Sequence, residues 1–438
     1  MLPAVVVVAG MGYLAWPRGG GPADEELRVV SPHWEGIREE FGAAFAEHWK
    51  RKTGRRIRVV FLDLGGTGKC LQYIRSKEAG EPAVADLYFG GGVHSCFGLA
   101  KEGRLHPVDI GPETRRAIPV KMGSFEIRDG RDRWFSTCLS TFGISFNRRI
   151  CRELKVPEPR EWDDLADPRL VGWVGSGDPH YSGAIAMCYQ IILETYGWDR
   201  GFELITCMAG NVRAFTEGSN GVPRDVAMGQ FAAGGTIDMY ALEKVHRYGG
   251  DLMGYAAPKR MPVITGDPVA VLEGAPNMKA AEEFVRYTLS PPGQRLWYLQ
   301  PGEKGGPREF YLGRMPVRPG LYGELQRPNP FEMAGTDRWD GRKIGKRWSI
   351  TRVFLHTVLV EPHDELREAW RTLIAAGVPA EGLKEFGAPM CSEKEFLDLA
   401  GRWHSAKKIS ERNEMVAEWG KWARTKYARV SARYAIRR

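Results

Sequence analysis

The stretch VVFLDLGGTGKCLQYI, Val59 to Ile74, sets an apolar run, a glycine-rich turn carrying Gly68 and Lys69, and a helical pattern in succession. This is the layout of a phosphate-binding loop. A nucleotide loop of the Walker type requires glycine where Asp63 stands and a hydroxyl where Cys70 stands. An aspartate repels phosphate there, and a thiol is a poor ligand for magnesium. A G-x-G-x-x-G dinucleotide fingerprint is missing as well. What the segment keeps is Gly65-Gly66-Thr67-Gly68 between a strand and a helix, where backbone N–H groups and the positive end of the helix dipole suit an anion. The Thr67 hydroxyl lies beside them, and Lys69 is read as solvated.

The same arrangement recurs twice. In GDPHYSGAIAMCYQ, Ser182 and Gly183 precede a helical pattern, so Ser182 reads as an N-cap or a ligand donor. In AFTEGSNGVPRDVAMGQF, Ser219 and Asn220 precede Gly221, with Pro223 in the first helical turn and Arg224 close by. Such strand-to-helix turns converge at the carboxyl ends of strands in α/β folds, where ligands bind.

Other chemistry finds little support. The seven cysteines form no C-x-x-C pair, and the nine histidines form no H-E-x-x-H motif, so neither a metal centre nor a redox motif is indicated. No nucleophile is paired with a base, and no catalytic residue or cofactor is assigned. The net charge of +8 is spread along 438 residues rather than clustered, except at the C-terminus, so nucleic acid is not an expected partner.

The elements that position these loops follow from hydrophobic patterning. LRVVS, IRVVFLDL and ADLYFGG read as strands, alternating with helices over Pro32–Thr53, from Lys69 to Ser76 and near Val93–Glu102. On the first of these helices Ile37, Phe41, Phe45 and Trp49 share a face. A second alternating unit carries FGISFN, LVGWVGS, NVRAF and GTIDMY as strands; PVAVL and the helix Met278–Leu289 mark a return to the first unit. Gly302–Arg347 reads as irregular and the remainder as helical. The final AEWGKWARTKYARVSARYAIRR sets aromatic residues at helical spacing among basic ones, a helix with a solvated basic face, with contact to anionic lipid or an importer as the alternative. At the other end, the apolar block Leu2–Trp16 has the length of an export signal's core rather than of a spanning helix. Cleaved export and retention as a membrane anchor both remain open.

The order of GGTGKCLQYI, ADLYFGGG, TFGISFNRRI, EWDDLADPRLVG, DPHYSG, NVRAFTEGSNGVPRDVAMGQ, DPVAVLEGAPNMKAAEEFVRYTLSPPGQ and MPVRPGL resembles the extracellular solute-binding proteins of ABC importers. The branch it resembles includes ferric-ion-, thiamine-, polyamine- and sugar-phosphate-binding members. The resemblance implies an α/β, two-lobed type II periplasmic-binding-protein fold, hinge-connected, with a ligand cleft between the lobes. The lobes would comprise residues 27–138 with 263–322, and 139–262; residues 1–26 would be signal or anchor plus linker, and residues 323–438 an extension packed on the first lobe. Carried over by position, the ligand contacts would be Thr67, Gly68, Gly91, Gly92, Ser140, Thr141, Ser182, Gly183, Ser219, Asp238 and Tyr240, the last read as closing a strand. Iron-binding members place two adjacent tyrosines there, whereas IDMYAL has Met239 before Tyr240, and a thioether suits Fe(III) poorly.

The resemblance therefore implies a monomeric, exported receptor, without enzymatic turnover or cofactor. It would hold a small anionic or phosphorylated solute and deliver it to a membrane permease. Fe(III) and thiamine are the alternatives within the family. Outside it stand an enzyme on a phosphorylated metabolite and a membrane-anchored sensory module.

Overall fold

The computed structural model describes residues 23–78, 81–216, 218, 220–260, 263–325, 329–332, 339–406 and 408–435. The apolar block Leu2–Trp16 and the candidate Ser219 lie outside them.

Strand β1 (Glu25–Val30) is followed by helix α1 (Glu35–Thr53), on which Ile37, Phe41, Phe45 and Trp49 recur every four residues and are buried together. Gly54 ends that helix in the left-handed conformation (φ 76°), its N–H closing on Lys50 O. Strand β2 (Ile57–Leu62) pairs parallel to β1; after helix α2 (Thr67–Ile74), strand β3 (Leu87–Phe89) pairs parallel to the other edge of β1. Helix α3 (Val93–Lys101) follows. Because successive strand residues face opposite sides, Val29, Leu87 and Phe89 pack under α1 while Val30 and Tyr88 pack with α2 and α3. Both faces of this sheet are therefore covered.

The chain leaves this first lobe along β4 (Phe135–Asn147), a single strand of 13 residues. The second lobe is built from β5 (Val174–Gly177), α4 (Gly183–Tyr196), α5 (Trp198–Asn211), β6 (Val212–Thr216), α6 (Gly221–Ala227), β7 (Ala233–Ile237), α7 (Asp238–Tyr248) and β8 (Met253–Ala256). Strand β9 (Ile264–Leu272) and helix α8 (Met278–Leu289) return to the first lobe. The order of paired strands is β2-β1-β3-β9-β4-β7-β5-β6. Its centre is β4, which pairs antiparallel with β9 over its first half and with β7 from Phe142 onward. One continuous strand thus belongs to both lobes, and the boundary falls between Thr141 and Phe142.

The segment GTIDMY, expected as strand throughout, leaves the sheet at Ile237, and Asp238, Met239 and Tyr240 form the first turn of α7. Helix also begins earlier in the extension than expected, with α9 (Gly341–Leu355), followed by α10 (His363–Ala375), α11 (Ala380–Gly387), α12 (Glu393–Ser405) and α13 (Ile409–Tyr434). This extension does not pack on the first lobe as expected; it shares one core with the second. The reason lies in α5, whose residues from Leu204 to Asn211 are all buried, so that it has a second face to cover after α4 and the sheet are packed. Trp370 fills that face against Gly210, and its indole N–H donates to Asn211 Oδ1 at 2.7 Å. Trp198 Nε1 likewise donates to Cys391 O at 2.7 Å. The buried Arg347 joins Gln190 and Glu194 of α4 to Glu393. On α13, Trp419, Tyr427 and Val430 face this core, and of its basic residues Arg429 and Arg433 pair with Glu385 and Arg424 with Glu365.

At the hinge, a fully buried Arg314 reaches Asp267 Oδ2 at 2.6 Å and donates through Nε to Ser140 Oγ at 3.2 Å. His33 Nε2 meets the same carboxylate oxygen at 2.7 Å, and the other oxygen accepts the Gly92 N–H at 3.3 Å. Burial works against the charge on Asp267, but Arg314 and His33 outweigh it and hold its carboxyl well below the usual carboxylate range. This group joins β9, β4, the start of α3 and the segment before α1.

Two stability measurements follow. Asp267→Ala strands the Arg314 charge in the interior and is expected to cost about 3–5 kcal/mol in denaturant unfolding; a loss below about 1 kcal/mol contradicts the hinge assignment. Trp370→Ala opens a cavity between α5 and the extension, with an expected loss of about 3–5 kcal/mol. Unfolding of the Trp370 variant in one step at the wild-type midpoint contradicts the shared core.

Candidate functional site

A cavity of about 490 Å³ lies between the lobes, within the range of small-molecule sites. Its first-lobe wall is made by the starts of α2 and α3. Gly66 and Gly92 stand at the N-cap positions of these helices, where a side chain would ordinarily accept a first-turn N–H, and neither helix has such a side-chain cap. The glycines before α3 are required by geometry. Gly90, Gly91 and Gly92 have φ of 104°, 79° and 76°, and a Cβ at Gly91 would fall 1.8 Å from the Tyr88 hydroxyl oxygen.

The second-lobe wall begins with Ser182 and Gly183. Ser182 is the N-cap of α4 and accepts the Ile185 N–H at 3.3 Å, as the sequence pattern predicts. Met187, Asn220 and Arg224 continue it; Met239 and Tyr240, in the first turn of α7, pack into the core of the first lobe, and Ser140 and Asp267 contribute from the hinge. Burial raises the Tyr240 phenol well above its ordinary pKa, so the hydroxyl stays protonated. Three cations line the cavity, each beside a carboxylate: Arg38 with Asp63 at 3.0 Å, Arg224 with Asp225 at 2.7 Å, and Lys244 with Glu243 at 2.6 Å. A guanidinium has five donors, so such pairing does not exhaust its capacity for an anion. Among the described residues, no three His, Cys, Asp or Glu side chains gather as a metal-binding group.

Of the residues expected from sequence, Thr67, Gly91, Gly92, Ser140, Ser182, Gly183 and Tyr240 line the cavity. Gly68, Thr141 and Asp238 are absent from its lining. Asp238 is turned inward and accepts the Thr141 N–H at 2.8 Å, the Thr141 hydroxyl at 3.1 Å and the Met239 N–H at 2.7 Å. Thr141 Oγ1 also meets the Tyr255 hydroxyl at 3.0 Å, so this pair fastens α7 to the crossing strand. Gly68 serves lobe contact instead: its N–H donates to Tyr181 O of the second lobe at 3.2 Å. Lys69 Nζ lies over the Tyr181 ring, 5.8 Å from its centroid. The lobes are closed on one another at this edge.

Sequence reasoning missed Trp34, Arg38, Lys244 and Trp348, all of which line the cavity. Arg38 and Lys244 sit on helices with the spacing of solvated residues, and no local signal separates them from other surface cations. Trp348 comes from α9 in the extension and stacks on His94 of α3, with ring centroids 4.5 Å apart and planes 15° apart. Four residues on, Arg352 donates through Nε to Pro179 O at 3.0 Å and through Nη2 to His180 O. His356 Nδ1 meets Asp178 Oδ2 at 2.8 Å. Helix α9 thus holds the Asp178–Ser182 turn from behind while the start of α2 meets it from the front.

The family model described as bacterial extracellular solute-binding protein matches residues 84–302. The phosphoglycerate transport regulatory protein PgtC of Salmonella typhimurium is 25% identical over 243 residues, covering 55% of this chain and 57% of that protein. An uncharacterized protein of Haemophilus influenzae is 30% identical over 223 residues, covering 49% and 61%. The chain spans less than two thirds of the length of these relatives. Among solved structures, the periplasmic binding protein AfuA of Actinobacillus pleuropneumoniae, with exogenous fructose-6-phosphate bound, superposes with a TM-score of 0.58 at 19% identity, covering 76% of this chain and 98% of that one. The apo ferric ion-binding protein A of Pasteurella haemolytica gives 0.56 at 15% identity, covering 77% and 98%. At these identities the likeness concerns the fold, the expected two-lobed type II periplasmic-binding-protein architecture. With that fold, and with half its length matched by the family model, the chain belongs to the bacterial extracellular solute-binding proteins.

Proposed function

We propose that this protein is an exported receptor that captures a small anionic, phosphorylated solute between its lobes and hands it to an ABC-type permease, without turnover. The observation that carries this reading is the convergence of three helix N-termini on one cavity. Those of α2 and α3 lack side-chain caps, and Arg38, Arg224 and Lys244 stand around them. A phosphate bound there receives backbone N–H groups that are already oriented. The relatives support the same class: one carries phosphoglycerate transport in its name, and one was solved with fructose-6-phosphate bound. Action outside the cytoplasm fits the family description, and action as a monomer is part of the proposal.

Fe(III) is the weaker reading. The cavity wall offers one phenol, Tyr240, and beside it Met239 presents a thioether, a soft donor that suits Fe(III) poorly.

Thermal unfolding against a panel of sugar phosphates, phosphorylated three-carbon acids, inorganic phosphate, thiamine and Fe(III) tests the reading. Phosphorylated solutes are expected to stabilise the protein, by about 2.7 kcal/mol at a hundred times their Kd, while the parent sugars and acids do not. Ser182→Asp keeps the N-cap acceptor but adds a negative charge to the wall, and should weaken that response by about ten-fold or more. Stabilisation by thiamine or Fe(III) with none by any phosphorylated compound contradicts the assignment.

A further inference from the structure

The helical extension lies outside the part of the chain that the family model matches, which ends at residue 302, yet it reaches the ligand cavity. Trp348 of α9 is in the wall, and its ring lies nearly parallel to that of His94, which stands in the first turn of α3. These two residues belong to different bodies. The extension shares its core with the second lobe, and α3 packs on the sheet of the first. The lobes therefore cannot separate as rigid bodies without parting this stack.

Nearby, Arg352 is buried at the same seam. Its guanidinium holds the carbonyls of Pro179 and His180, and Nη2 would lie 3.2 Å from a Cβ placed on Gly68. The turn that Arg352 braces is the one whose Tyr181 carbonyl receives the Gly68 N–H. One helix thus performs two tasks: it stiffens the second-lobe turn that the first lobe docks on, and it extends an aromatic side chain across the gap.

We propose that helix α9 is a clasp and a third wall of the solute site, and that the Trp348–His94 stack slows lobe opening and thereby sets the rate of ligand release. The part concerning release rests on the cleft being the solute site; the part concerning closure does not. An arrangement of this kind gives the C-terminal extension a role in retention that two lobes alone would not supply, since each opening event must first separate two rings.

The test is amide hydrogen exchange, followed by mass spectrometry, on the full chain with no solute added. In Trp348→Ala and in His94→Ala, segments 65–74 and 90–101 should exchange faster by about two- to ten-fold, the range an aromatic pair commands. Segment 409–434, in the core of the extension, should keep wild-type exchange. The double variant should be no faster than either single variant, because both remove the same contact. Wild-type exchange of 65–74 and 90–101 in His94→Ala, which leaves the extension untouched, overturns the clasp; so does a double variant whose effect is the sum of the singles. Stopped-flow release of whichever phosphorylated compound stabilises the protein should accelerate in Trp348→Ala by the same factor, and an unchanged release rate overturns the retention role. Should no phosphorylated compound bind while exchange rises as stated, the clasp stands and the solute assignment falls.

Discussion

The buried carboxylate of Asp267 is the point on which the cleft depends. It sits in β9, takes Arg314 and His33 on one oxygen and the Gly92 N–H on the other, and through Arg314 reaches Ser140 on the crossing strand. A charge in that position is tolerable only because an arginine and a histidine face it. In return, the group fixes four chain segments that otherwise have no reason to meet: the lead-in to α1, the start of α3, β4 and the irregular stretch before residue 315. Three of them contribute to the wall of the cavity, so the network that locks the hinge also sets the floor of the site.

From that floor the chemistry follows by geometry. Parallel strands feeding helices bring helix N-termini to one edge of each lobe, and facing two such edges across a hinge gathers them around a common volume. Glycine N-caps on α2 and α3 leave the first turn to be completed by something other than a side chain, whereas Ser182 completes that of α4. The extension adds an indole that stacks across the lobe boundary and an arginine behind the docking turn. It can do so because α5 offered it a second apolar face.

Much of this was legible in the sequence. The four-residue recurrence of Ile37, Phe41, Phe45 and Trp49 announces α1, and Ser182-Gly183 announces a capped helix; ADLYFGG reads as a strand throughout, whereas the strand ends at Phe89 and the glycines turn into the left-handed region. The failures have physical causes. GTIDMY is rich in residues that favour strands, and its last three enter a helix because Asp238 finds the Thr141 N–H and hydroxyl of the crossing strand, a partner close to a hundred residues away. Gly68 has the signature of a ligand loop, and the structure uses it where two lobes touch. The aromatic and basic pattern of the final helix says that one face is buried; it carries no information on which lobe supplies the surface. Arg38, Lys244 and Trp348 belong to the site through tertiary approach alone, which local spacing does not encode.

In the proposed complex an anionic solute lies among the starts of α2, α3 and α4 inside closed lobes. A crystal structure of the protein grown with the phosphorylated compound that stabilises it most tests this directly. Phosphate oxygens are expected within hydrogen-bonding distance of backbone N–H groups at Thr67, at Val93 or His94, and at Gly183 or Ala184, with the Trp348–His94 stack intact. Density for the compound outside the interlobe cavity, or inside it with the phosphate turned away from all three helix starts, would contradict it.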